Sequence, residues 1–374
     1  MFSHYIWFIV ILAAISTILM NASITPKRTF YSPPANIEVI PLEQNDASDE
    51  YIQSRIRSER PNLPNSLEYV TNSRGQKLHV RTYWPSEGQA KSILFFFHGY
   101  AGHHNRPTQA YIARELNAQK IACVMFDFHG HGYSDGDRGR VAQYSDLIDD
   151  AMSVVTAVYM PTPYPSESAN LRIPSIAQQL PFFISGFSMG GATAIYTSTA
   201  ISQDNRYTKI KQKFSGMILA APMIQVRDVS TIIKTSLKMP LQTIFDKVPF
   251  DLSSRVNIHD IWRPYYGDYV ISDSYPKNPA GLTYDDAPWI TTAQSILQFT
   301  ESMPTLLPQV DCPFIVFHDP EDTITKIDGS YALMEESSSK RKHMVTMPGA
   351  KHDLVANRTH RFIHRVIEWM QKST

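Results

Sequence analysis

Cysteine is scarce in this sequence of 374 residues, and neither sign of charge is in excess. The two cysteines, Cys123 and Cys312, lie beside apolar, strand-like runs, where a small buried side chain is expected rather than a disulfide or a metal ligand. Lysine and arginine together number 35, and so do aspartate and glutamate. Because no net field attracts a polyanion, nucleic acid is not an expected partner.

The N-terminus lacks charge altogether, because no Asp, Glu, Lys or Arg precedes Lys27. Residues 5–20 are almost wholly apolar and approach the length that spans a bilayer, about 17 to 25 residues. A cleaved signal peptide is the alternative, but its basic first residues and its small-residue cleavage site are missing. The sequence therefore predicts a membrane anchor in residues 1–28 and a single-pass membrane protein of the endomembrane system, such as the endoplasmic reticulum. Its topology stays open.

After the anchor, the sequence predicts a linker and one large domain. Residues 29–66 are polar and interrupted by prolines, as in a linker. In residues 67–374, apolar β-prone runs alternate with helix-length segments, which favours a mostly parallel sheet with helices on both faces. Eight strands are predicted, the first two as an antiparallel hairpin, at residues 67–71, 78–83, 92–97, 121–126, 181–185, 216–220, 314–317 and 343–347. The sixth and seventh strands lie about 90 residues apart, too far for a plain connection, so a helical cap is expected at about residues 222–307.

A serine stands on a sharp turn between a predicted strand and a predicted helix. Residues 185–191 read SGFSMGG directly after an apolar run, which is the G-x-S-x-G pattern of a nucleophile elbow. Gly186 and Gly190 leave room where a side chain would collide with the neighbouring element. The pattern predicts Ser188 as the nucleophile.

A serine hydroxyl needs a base, and the base needs a carboxylate that orients it. His352 lies in a loop after the last predicted strand and is the predicted base, whereas His343, His360 and His364 fall within a strand or a helix. Three carboxylates follow the seventh strand, at Asp319, Glu321 and Asp322. The order Ser188, Asp322, His352 is that of α/β-hydrolases.

Two backbone amides are predicted to hold the oxyanion. One belongs to Met189, directly after the nucleophile, and the other to Tyr100, in the loop after an earlier strand. The next loop is rich in histidine and glycine, but a metal-binding H-x-H-x-D-H run would need Asp where Tyr133 stands. We expect neither a metal nor an organic cofactor.

Together these motifs resemble the monoacylglycerol lipase and lysophospholipase-like branch of the α/β-hydrolase superfamily, also grouped with serine aminopeptidases. The resemblance covers residues 67–374. It rests on Asp322 and His352 near the C-terminus and on three motifs: H-G-x-x-G at 98–102, D-x-x-G-H-G-x-S-x-G at 127–136 and G-x-S-M-G-G at 186–191. It implies an α/β-hydrolase fold, places the acid on Asp322, and puts the oxyanion donors on Tyr100 and Met189.

The resemblance also implies a serine ester hydrolase that cleaves monoacylglycerols or lysophospholipids through an acyl-enzyme. In that family the cap walls an acyl-chain tunnel, which aromatic side chains would line here (Trp262, Tyr265, Tyr266, Trp289 and Phe299). The expected partners are a lipid ester substrate and, through the N-terminal helix, a membrane. A thioesterase, an aminopeptidase and a non-catalytic membrane scaffold are the alternatives. The sequence does not set the acyl length, the head group or the oligomeric state.

Overall fold

A nine-stranded sheet organises the part of the chain that the structure describes. The structure is a computed structural model, and it describes residues 31–41, 68–86, 89–160, 171–226, 282 and 289–373. In chain order the strands are β1 Ile37–Val39, β2 Glu68–Thr71, β3 Lys77–Tyr83, β4 Ser92–Phe97, β5 Ile121–Phe126, β6 Phe182–Phe187, β7 Phe214–Ala220, β8 Phe314–His318 and β9 Lys342–Thr346.

The strand order across the sheet is β1-β9-β8-β7-β6-β4-β5-β3-β2. All neighbours are parallel except β2 with β3 and β3 with β5. The connection from β4 runs to β5 on one side, while β6 pairs with β4 on the other side. Ligands bind at such a reversal in open α/β sheets, beyond the carboxyl ends of the strands.

The described helices connect these strands and cover the sheet. They are α1 Pro107–Ala118, α2 Tyr144–Tyr159, α3 Met189–Gln203, α4 Thr208–Lys211, α5 Ile290–Leu306, α6 Ile327–Glu336, α7 Leu354–Asn357 and α8 Thr359–Gln371, with short 3₁₀ turns at Ser175–Gln179, Asn205–Tyr207 and Leu307–Gln309.

The central strands are apolar because both of their faces are covered. Every residue of β4 and β5 is buried, as expected for parallel strands between two layers of helices. Helix α8 shows the complementary pattern, since it buries Phe362, Val366 and Trp369 on one side and carries charged residues on the other. Such a one-sided stripe of apolar residues holds a surface helix against a sheet.

The sheet has nine strands, not the eight predicted. The additional strand, β1, lies in the segment predicted as a linker and pairs in parallel with β9 at the sheet edge. Its three residues, Ile-Glu-Val, are too few to give the alternation by which a strand is predicted. Only pairing with β9, near the other end of the chain, distinguishes them from the polar segment around them.

The predicted single-pass membrane localisation is corrected. In the part of the chain that the structure describes, no helix has the length and the apolar character needed to cross a bilayer. The predicted anchor in residues 1–28 lies outside the described residues.

Most of the predicted cap, residues 222–307, also lies outside the described residues, which stop at 226 and resume, apart from 282, at 289. Of the predicted tunnel aromatics, Trp262, Tyr265 and Tyr266 fall in that gap. Phe299 lies in α5, buried and stacked on Tyr144 of α2 with ring centroids 3.3 Å apart. Trp289 donates its indole N–H to the carbonyl of Arg138. Phe299 therefore packs against α2, and Trp289 against the loop between β5 and α2.

Candidate active site

Ser188 occupies a strained turn between β6 and α3. Its backbone has φ 52° and ψ −114°, a conformation that a residue with a side chain adopts only when its surroundings enforce it. A Cβ on Gly186 would lie 2.3 Å from the carbonyl oxygen of Gly190, and a Cβ on Gly190 would lie 2.2 Å from that of Phe97. Only glycines allow the strand and the helix to approach this closely, and their approach holds Ser188 at the carboxyl end of the sheet.

The structure brings Ser188, His352 and Asp322 together in one hydrogen-bonded chain. Nε2 of His352 lies 3.0 Å from Oγ of Ser188, and Nδ1 of the same ring lies 2.8 Å from Oδ2 of Asp322. The three residues are 8%, 2% and 0% exposed. They come from loops after β6, β9 and β8, which are neighbours at one end of the sheet apart from the intervening β7.

Asp322 is held ionised. Burial alone would raise its pKa, but the charge of His352 and hydrogen bonds from His318 and His352 keep the pKa well below the ordinary value. Its Oδ1 also accepts the backbone N–H groups of Ile324 and Thr325. An ionised carboxylate only accepts hydrogen bonds, so Nδ1 of His352 carries the proton and Nε2 is free to accept the hydroxyl proton of Ser188.

Asp319, the rival carboxylate, faces a different group. Its Oδ2 accepts the backbone N–H of Lys351 at 2.5 Å, and its Oδ1 accepts that of Glu321 at 2.8 Å. Glu321 pairs with the ammonium of Lys351 at an exposed position. Asp319 therefore hydrogen-bonds the loop after β9 to the loop after β8. Asp322, in contrast, contacts the imidazole of His352 itself.

The turn after β4 lies directly against the serine. A Cβ on Gly99 would lie 3.3 Å from Cβ of Ser188, so the next residue, Tyr100, begins its turn beside the predicted nucleophile. Met189 is the first residue of α3, and an amide at that position has no acceptor within its own helix. The two residues predicted as oxyanion donors thus directly follow Gly99, which lies against Ser188, and Ser188 itself.

Buried histidines hold that turn in place. His98 donates from Nδ1 to the carbonyl of Gly99 and accepts at Nε2 the backbone N–H of Phe128, so both ring nitrogens are used in the neutral form. Burial lowers the pKa of His98 to about 3. His129 lies 2.7 Å from Oδ2 of Asp150 through its Nδ1. The contacts of His98 connect the turn after β4 with the loop after β5, and the contact of His129 connects that loop with α2.

Sequence reasoning missed His318 and Thr325, which support Asp322. The hydroxyl of Thr325 donates to Oδ2 of Asp322 at 2.7 Å. His318 is fully buried, lies 3.4 Å from the same oxygen through Nε2, and contacts Ser330 through Nδ1. His318 directly follows the strand predicted at residues 314–317 and precedes three carboxylates, and that position was the available signal in the sequence.

Comparisons with known proteins agree with the family resemblance inferred from the sequence. Residues 88–359 match the sequence model of the family described as serine aminopeptidase, S33. The monoglyceride lipase of Homo sapiens is 26% identical to this chain over 318 residues, which cover 82% of this chain and 91% of the relative.

Two solved structures have a similar fold. The monoacylglycerol lipase of Paleococcus ferrophilus superposes with a TM-score of 0.59 at 17% identity, over 79% of this chain and 99% of the other. A soluble variant of the monoglyceride lipase from Saccharomyces cerevisiae gives a TM-score of 0.58 at 20% identity, over 84% and 98%. The α/β-hydrolase fold predicted from the sequence is confirmed.

Proposed function

Because the chain belongs to the serine aminopeptidase S33 family of α/β-hydrolases, we propose that it releases the acyl chain of a monoacylglycerol through Ser188, His352 and Asp322. That it is a serine ester hydrolase follows from its family and from its similarity to monoglyceride lipase over most of both chains. The observation that supports the catalytic residues is the hydrogen-bonded chain from Oγ of Ser188 through His352 to Asp322.

The geometry supports acyl transfer in two steps. Oγ of Ser188 attacks the ester carbonyl carbon while Nε2 of His352 takes the hydroxyl proton, and Asp322 stabilises the imidazolium that forms. The amides of Tyr100 and Met189 stabilise the negative charge on the carbonyl oxygen. The C–O bond breaks, and His352 returns the proton to the leaving glycerol oxygen. His352 then takes a proton from water, which attacks the acyl carbon. The bond from that carbon to Oγ of Ser188 breaks, His352 returns the proton to Oγ, and the fatty acid leaves.

Active-site labelling tests the nucleophile. The full chain should react with a fluorophosphonate, and Ser188→Ala should abolish the labelling and lower kcat by about 10⁴-fold or more. Ser202→Ala is the matched control, because that serine is half-buried at the other end of α3 and its hydroxyl donates to Asp311; it should label as the parent does. A folded parent chain that is not labelled would contradict the proposal.

A substrate panel tests the class of ester. Initial rates of the parent chain are compared on a monoacylglycerol, a lysophospholipid, an acyl thioester and an aminoacyl anilide, with Ser188→Ala as the blank. We expect the highest kcat/KM on the monoacylglycerol. A preference for the lysophospholipid, the thioester or the anilide would replace the proposed substrate while leaving the catalytic residues in place, since one triad serves all these acyl transfers.

A further inference from the structure

Three buried side chains with metal-ligating atoms, His79, His104 and Asp127, meet apart from the Ser188–His352–Asp322 chain. His79 lies in β3, His104 in the loop between β4 and α1, and Asp127 directly after β5. They are 3%, 1% and 0% exposed. One ligand atom from each can be chosen so that all lie within 4.8 Å of one another.

Backbone pairing fixes the position of Asp127 in this cluster. Its N–H donates to the carbonyl of His79, because β3 and β5 are antiparallel neighbours. Its Oδ1 accepts both the backbone N–H and the ring Nδ1 of His104, each at 2.7 Å. Its Oδ2 accepts the backbone N–H of Tyr133 at 2.9 Å. The carboxylate therefore holds the ring of His104 in one orientation.

The remaining ring nitrogens of the cluster make no hydrogen bond within the described part of the chain. They are Nε2 of His104 and both nitrogens of His79. Nδ1 of His79 stands 3.7 Å from Oδ2 of Asp127, beyond hydrogen-bond distance, and the two imidazole rings lie 4.7 Å apart. Buried polar atoms in native proteins nearly always have a partner. The imidazole of His79, with both nitrogens lacking such a partner among the described residues and beside the carboxylate of Asp127, indicates a ligand that bridges the two.

We propose that His79, His104 and Asp127 bind a divalent transition metal ion of the zinc class. Imidazole nitrogens with a carboxylate suit zinc, cobalt and nickel. The ion would bind Nδ1 of His79, a carboxylate oxygen of Asp127, and Nδ1 of His104 in place of the proton that this nitrogen donates to Asp127. A tetrahedral zinc site spaces its ligand atoms by about 3.4 Å, so small side-chain rotations close the cluster. The ion would tie β3 to the turn that carries Tyr100.

Metal titration of the full chain tests this proposal. Chelator-treated protein is titrated with ZnCl₂ by calorimetry and with CoCl₂ by visible absorption. We expect one ion per chain and the d–d bands of a low-symmetry cobalt site. Every protein in the series carries His364→Gln, because the ring of His364 lies 4.1 Å from that of His360 on α8 and such a surface pair also binds these ions.

Matched variants locate the ion. His104→Asn keeps a donor for Asp127 but removes the imidazole nitrogen that would bind the ion, and His79→Phe keeps the ring but removes both nitrogens. Each should weaken binding by at least the roughly 100-fold that a lost outer-shell contact can cost. His103→Asn is the control one residue away, since Nδ1 of His103 accepts the N–H of Asn105 and an Asn oxygen can do the same. It should bind zinc as the parent does.

Thermal unfolding keeps the test independent of folding defects. Without metal, His79→Phe should be at least as stable as the parent, because it buries no unsatisfied nitrogen. Added zinc should raise the Tm of the parent and of His103→Asn, but not that of His79→Phe. The proposal is overturned if the parent binds none of the ions at millimolar concentration, or if His79→Phe and His104→Asn bind zinc as tightly as the parent.

Discussion

At the scale of single residues, Asp319 and Asp322 show how two carboxylates in one loop are separated by their contacts. Asp322→Asn leaves Nδ1 of His352 facing an amide and favours the wrong tautomer, which should lower kcat by about 10⁴-fold. Asp319→Asn keeps one acceptor oxygen for the backbone N–H groups of Glu321 and Lys351, so it should lower the free energy of unfolding by about 1 kcal/mol. Ester hydrolysis rates and urea unfolding of both variants provide the measurement.

The two variants serve as controls for each other, because they make the same chemical change three positions apart. A larger loss of kcat in Asp319→Asn than in Asp322→Asn would overturn the assignment of the acid. From the sequence alone, the run after β8 offered three carboxylates, and only the resemblance to a family selected Asp322. Hydrogen bonds to Lys351 and His352, distant in the chain, are what distinguish the candidates, and no local pattern encodes them.

At the scale of elements, the turn from β6 into α3 depends on Gly190. Gly190→Ala would place a Cβ 2.2 Å from the carbonyl oxygen of Phe97, so α3 must move away from β4 and shift Ser188. A displacement of about 1 Å costs roughly 100-fold in rate, and we expect at least that loss of kcat together with a lower Tm. Kinetics on a soluble ester and thermal unfolding measure the two effects.

Gly75→Ala is the matched control, in the turn between β2 and β3. A Cβ at Gly75 meets nothing within 4 Å, although its φ of 78° disfavours a side chain. It should lower the free energy of unfolding by about 1 kcal/mol and leave kcat unchanged. If Gly190→Ala behaved in the same way, close packing at the elbow would not be what positions Ser188.

Elements with strong local patterns were predictable, and an element that depends on a distant partner was not. The strand before Ser188 and the helix after it followed from an apolar run and a glycine-flanked serine. The strand β1 was missed because three residues carry no period. Its position depends on β9 and on Arg365 of α8, which binds both carboxylate oxygens of Glu38.

At the scale of the whole molecule, buried histidines make stability depend on pH. Burial lowers the pKa of His98 to about 3 and that of His131 to about 4, whereas an unfolded histidine titrates near 6.5. Both are neutral in the folded protein. Below about pH 6.5 the unfolded chain therefore binds protons that the folded chain does not, and stability falls toward pH 4 by about 1.4 kcal/mol per pH unit for each group.

Urea unfolding between pH 7 and pH 4.5 measures this slope. His131→Asn keeps a donor for the carbonyl of His129, which Nδ1 of His131 contacts at 2.9 Å, but it cannot titrate. Its slope should be smaller than that of the parent by about one proton. His364→Asn, at an exposed position of α8, should keep the parental slope. Parallel profiles for the parent and His131→Asn would show that His131 is not held neutral by the fold.

The overall fold was easier to predict than any single contact. Alternating strands and helices, with Asp322 and His352 near the C-terminus, are typical of an α/β-hydrolase. The meeting of His79, His104 and Asp127 was the least predictable feature. His79, His104 and Asp127 are separated by 25 and 23 positions in the chain, and only the antiparallel pairing of β3 with β5 and the turn after β4 bring them together. Spacing rules for metal sites apply to ligands within one short motif.

The strand β1 also decides where a recombinant chain should begin. It pairs with the backbone N–H and C=O groups on the outer edge of β9. Residues Ile37, Glu38 and Val39 lie opposite Met344, Val345 and Thr346. A truncation at residue 67 would leave that edge with unpaired N–H and C=O groups, which are a template for strand addition between copies and hence for aggregation. The shortest chain for expression and crystallisation should therefore start ahead of Pro33.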